Sequence, residues 1–175
     1  MLLSLFTMAH VLISLLAIGA GFVVAFGLLT SKRLDHWTAL FLSTTLATSL
    51  SGFCFPFHGI TPAIITGIIS LLILAVIGYA RYRRHLTGWW AKVYAAGSVM
   101  VLYFNVFVLV VQSFQKIPAL KDLAPTPNEL PFQITQLVVL VIFVMLGLAA
   151  TIRFRIESAH SQSGGSNQPY LKPNT

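Results

Sequence analysis

Gly52-Phe53-Cys54-Phe55-Pro56-Phe57-His58-Gly59-Ile60-Thr61-Pro62 is the one stretch where aromatic, kinking and ionisable residues crowd together between two long apolar runs. Pro56 removes a helix donor and clashes with the preceding turn. Gly59 and Ile60 suit a turn, Thr61 a helix cap and Pro62 a first helical turn. The stretch therefore reads as the tight outer turn of a membrane hairpin.

Working outward, the composition agrees with a membrane setting. The chain has 175 residues, 57% of them hydrophobic and 9% charged, with a mean hydropathy of +0.85. Soluble domains carry about 25% charged residues. The net charge of +7 is spread over short segments between apolar runs, an orientation signal rather than a nucleic-acid surface, so no nucleic-acid partner is expected. One cysteine, Cys54, excludes an intrachain disulfide. The run from Leu2 to Thr30 is too long for a signal-peptide core and lacks a basic flank before it, so it reads as a retained first helix.

A bilayer core of about 30 Å takes roughly 20 apolar residues as helix. Five runs qualify: 5–30, 38–57, 61–80, 94–114 and 132–152. Lys32, Arg33, Arg81, Arg83, Arg84, Lys92, Arg153, Arg155 and Lys172 fall in the linkers of one side, and only Lys116 and Lys121 on the other. Basic residues stay cytoplasmic, so the expectation is an all-α integral membrane protein. It is a five-transmembrane-helix bundle with its N-terminus outside and its C-terminus cytoplasmic. Trp37, Trp89, Trp90 and Tyr94 then belong at the inner boundary as interfacial anchors, and Arg81, Arg83 and Arg84 beside anionic lipid at the cytoplasmic face. The transmembrane domain covers 1–156. Residues 157–175, rich in Ser, Gln, Gly, Asn and Pro, read as a disordered cytoplasmic tail. The proline-rich linker from Gln115 to Pro131 is expected to lack a long helix.

Small and polar residues mark the faces by which membrane helices pack. They form stripes at Thr7, His10, Ser14, Ala17 and Gly21; at Ala63, Gly67 and Ser70; at Ser98, Asn105 and Gln112; and at Gln133, Gln136, Phe143, Gly147 and Ala150. The second run, with Ser43, Thr44, Thr45, Thr48, Ser49 and Ser51, carries hydroxyls on more than one side, as suits a helix surrounded by others. Counting back from Thr30 puts His10 near the outer boundary, level with His58, Gln112, Gln133 and Gln136. Asn105 lies deeper, where an amide needs a partner. These six are the candidate ligand-binding residues.

Two histidines on different helices can ligate a haem b iron, and the same cluster can hold a quinone; this is one alternative, using His10 and His58. No metal site is expected beyond it, since zinc needs more ligands than Cys54 adds. No catalytic residue is assigned: the Ser51-Gly52 pair lacks the preceding glycine of an intramembrane serine protease motif, Ser49 standing there, and Ser51 reads as a packing hydroxyl. Asp35, Asp122, Glu129 and Glu157 all fall in linkers or tail, leaving no intramembrane carboxylate to couple transport. A small channel or carrier without such a group is the other alternative.

The runs Lys32 to Leu42, Phe55 to Gly59 and Asn105 to Phe114 resemble an uncharacterised family of small multi-pass bacterial inner-membrane proteins, over about His10 to Phe154. The resemblance implies a bacterial source and the inner membrane, and no activity or site residue. The expectation is a non-enzymatic polytopic protein, an accessory or small-ligand-binding component.

Overall fold

A computed structural model describes residues 2–55 and 62–163, with side chains from Ser4 to Phe55 and from Pro62 to Phe154. Pro56, His58, Gly59 and Thr61 of the hairpin turn, and tail residues 164–175, lie outside the described residues. Among the described residues the chain is all helical: α1 Leu2–Leu29, α2 Asp35–Gly52, α3 Pro62–Gly78, α4 Trp90–Lys116, α5 Pro118–Leu123 and α6 Leu130–Ser163. A π-helical turn, Tyr79–Arg83, extends α3.

Each boundary has a local cause. α1 ends where Ser31 turns left-handed at φ 57° and Lys32 N–H reaches back to the Gly27 carbonyl at 2.8 Å. α2 opens on Asp35, whose charge suits a helix N-terminus. Pro62 opens α3, where no amide hydrogen is needed. α4 stops at Ile117, held extended (φ −89°, ψ 115°) by the proline that follows, and Pro118 starts the six-residue α5. α6 continues to Ser163, past Glu157 where the expected tail begins.

The segments Ser4–Leu29, Pro62–Arg83, Trp90–Lys116 and Leu130–Phe154 are long and apolar enough to cross a bilayer. Their outward faces carry Phe26, Leu72, Leu137 and Met145, each more than half exposed; a soluble monomer rarely shows so continuous an apolar surface. α2 has 18 residues, or about 27 Å at 1.5 Å each, but its hydroxyl-rich sequence is less apolar than the other four.

α1, α2, α3 and α4 pack in a closed ring, each against the next and α4 against α1, while α6 lies against α4 and α1 outside that ring. The helix with neighbours on most sides is α4, not α2, which touches α1 and α3. The hydroxyls of α2 do not need neighbours all round, because Ser43 and Thr44 donate to the Leu40 carbonyl of their own helix, at 3.1 and 2.6 Å.

The half in which α1 and α3 end is closely packed. A Cβ on Gly21 would stand 2.5 Å from Leu102 Cδ1 and 2.8 Å from the Phe41 ring, so α1, α2 and α4 meet there with no room for a side chain. Gly97 gives Ile77 the same clearance between α3 and α4. A clasp joins the chain's first and last long helices: Ser31 Oγ donates to the Arg153 carbonyl at 3.1 Å, and Arg153 Nη1 donates to the Leu29 carbonyl at 3.3 Å.

Candidate functional site

The other half is hollow. Where α1 and α3 begin and α2 and α4 end, the ring borders a partly open cavity of about 480 Å³. Its walls are mainly apolar, with Ile18, Phe53, Ile64, Phe104 and Val108 among them, and a few polar groups break that surface. His10, Asn105 and Gln112 all line it.

His10 is fixed from α2. Its Nδ1 lies 2.8 Å from Ser51 Oγ, and the Phe55 ring meets the imidazole edge-on at 5.0 Å. Ser51 Oγ is also 3.2 Å from the Thr48 carbonyl, to which it can donate. The serine can serve Nδ1 as donor or acceptor, so Nε2 is the ring nitrogen left to whatever occupies the cavity. One turn deeper, Ser14 donates to the His10 carbonyl at 2.7 Å. The inward stripe read on α1 thus turns Thr7, His10 and Ser14 to the cavity and Ala17 and Gly21 to the packed half.

Asn105 marks the floor. Its Nδ2 donates to Thr45 Oγ1, a fully buried hydroxyl, at 3.2 Å, giving the amide the partner its depth demands. Below this pair Leu102, Phe41 and Gly21 close the ring. Tyr94, expected as an interfacial anchor, is buried, its hydroxyl 3.1 Å from Thr38 Oγ1. Arg81, expected at lipid headgroups, pairs with Asp35 and lies 5.6 Å from the centre of the Tyr94 ring, whereas Arg83 and Arg84 are exposed.

Gln133 and Gln136 lie elsewhere. Both belong to α6, outside the ring: Gln133 is exposed and donates to the Asn128 carbonyl at 3.1 Å, and Gln136 donates to the Phe107 carbonyl of α4 at 3.3 Å. Depth counted along a helix carries no information about which side of α4 that helix occupies. His58 lies outside the described residues, so its distance from His10 does too.

Two residues gain a place that the sequence did not give them. Ser51 is the partner of His10, and no spacing rule links positions on separate helices. Lys116 lines the cavity mouth; the stripe Ser98, Asn105, Gln112 reaches it with one more four-residue step. Lys116 is the only charged residue lining the cavity among the described residues. No cluster of three or more metal-ligating His, Cys, Asp or Glu side chains occurs among the described residues, and His10 is the only described histidine on the cavity wall. Compared with protein-family models, curated proteins and solved structures, the chain matches none.

Proposed function

We propose that this chain is a non-enzymatic integral membrane protein of five spans that holds a small, mostly apolar molecule in the cavity at its outer end. The observation that carries this reading is the cavity itself: about 480 Å³, apolar walls and convergent polar groups, within the range of about 300–1,000 Å³ common to ligand sites. A non-enzymatic role is favoured because Ser51, which pairs with His10, is not on the cavity wall and has a backbone carbonyl within reach of its proton. The close packing of Phe41 and Leu102 beneath Asn105 favours a binding pocket over a pore.

Five spans are supported by the pairing of α2 with α1. His10 meets Ser51, Ser14 meets Thr48 and Gly21 meets Phe41, so α2 runs antiparallel beside a membrane-length helix over most of its own length. The basic inner linkers support an external N-terminus and a cytoplasmic C-terminus. The resemblance noted above supports a bacterial inner membrane, with Arg83 and Arg84 toward anionic lipid at its cytoplasmic face.

Native mass spectrometry of the full chain in neutral detergent tests the binding reading. The wild type should carry an apolar small molecule, and Val108→Trp, which fills the cavity, should lose it; equal loading of both proteins would refute the reading. A Soret band in protein made with haem precursor supplied would replace it with the haem alternative. Reporter tags at the two termini should report opposite sides, and a common side would remove the five-span topology.

A further inference from the structure

We infer that the molecule held in the cavity is a single-chain lipid carboxylate, its head at Lys116 and Gln112 and its chain lying in the gap between α1 and α4. This deepens the binding reading above and rests on it.

The charge of the head follows from the walls. Lys116 lines the mouth, no Asp or Glu does so among the described residues, and Asp35 is engaged with Arg81 at the opposite end. A cationic amphiphile would meet only repulsion there. Among the described residues Lys116 has no acidic partner within ion-pair distance, and the Gln112 side chain has no hydrogen-bond partner among them either. One ammonium and one amide donor match a carboxylate. A phosphomonoester, with about −1.5 to −2 charge at neutral pH, would exceed one lysine, and among the described residues no Arg of the fork type that suits phosphate lines the cavity.

The chain follows from the opening. Val11 and Leu15 of α1 and Leu109 of α4 line the cavity, yet they are 42%, 46% and 38% exposed. The cavity therefore opens sideways between these two helices, onto the same apolar exterior that faces lipid. A ligand with an acyl chain can enter from the bilayer and leave its end there, while its head stays near the outer boundary with Lys116. His10 lines the same space with Nδ1 engaged by Ser51, leaving Nε2 to add a hydrogen bond.

The test measures binding of hexadecanoate, hexadecanol and hexadecyl phosphate to the full chain in neutral detergent. Hexadecanoate should bind about tenfold tighter than the alcohol, in line with a charge-assisted hydrogen bond. Lys116→Met should lower hexadecanoate to the level of the alcohol, and Lys121→Met, on α5 and off the cavity wall, should keep the preference. Equal binding of acid and alcohol, tighter binding of the phosphate, or an unchanged preference in Lys116→Met would overturn the assignment while the cavity reading stands. If none of the three binds and Val108→Trp changes nothing, the cavity reading itself fails.

Discussion

The ion pair of Arg81 and Asp35 joins two groups of unequal worth. The Arg81 side chain is 11% exposed and that of Asp35 is 70% exposed. Asp35→Asn removes a charge that water already screens, a loss of about 0.2–1 kcal/mol. Arg81→Ala also strips the cation from the face of Tyr94 and the methylene stem from the core, at about 1–2 kcal/mol. Tyr94 keeps Thr38 at 3.1 Å, so no buried hydroxyl is orphaned and the cost stays in that range. Melting of both variants in detergent should show the larger fall for Arg81→Ala; an equal or greater fall for Asp35→Asn would contradict this account. At this scale the sequence was informative wherever a residue's needs were strict. Asn105 at depth required a partner and has Thr45, and Gly21 on an inward stripe marked a helix crossing. It was silent about Ser51 and His10, whose bond depends on two helices meeting in one register.

Among the elements, the linker after α3 shows how local strain and burial trade. Its π-turn leads into His85 and Leu86, both left-handed at φ 49° and 58°, a conformation that costs a side-chain-bearing residue about 1–2 kcal/mol. His85 is exposed and Leu86 is 4% exposed. His85→Gly should therefore stabilise the fold by about 1 kcal/mol. Leu86→Gly relieves the same strain but gives up burial worth about 1.5–3 kcal/mol, so it should destabilise. Opposite signs in the two melts are the expected result. Helix existence was readable from apolar run length, since that length is fixed by bilayer thickness. The neighbours of a helix were not. The hydroxyls of α2 suggested an enclosed helix, but a serine or threonine bonded to its own preceding turn cannot be distinguished by sequence from one that reaches a neighbour. Gln133 and Gln136 shared the level of His10 and still lie outside the ring, because α6 packs on α4 and α1.

At the scale of the molecule, the described residues divide into a close-packed half and a hollow half. Glycines at 21 and 97 draw four helices together below the level of Asn105, and the ring widens above it. The clasp of Ser31 and Arg153 belongs to the close-packed half, and it has a consequence for how the protein is made. Its partners are 122 residues apart, and α1 is synthesised before α6. At about 5–20 residues per second, the C-terminal end of α1 waits roughly 6–25 s for the residue that secures it. A nascent chain stopped before α6 should therefore leave the end of α1 open to added protease near Ser31, and a chain that includes α6 should be resistant there. Pulse-chase proteolysis of ribosome-stalled chains measures this directly. Equal cleavage with and without α6 would mean that α1 is already set before α6 is made; otherwise α6 is the element that secures it.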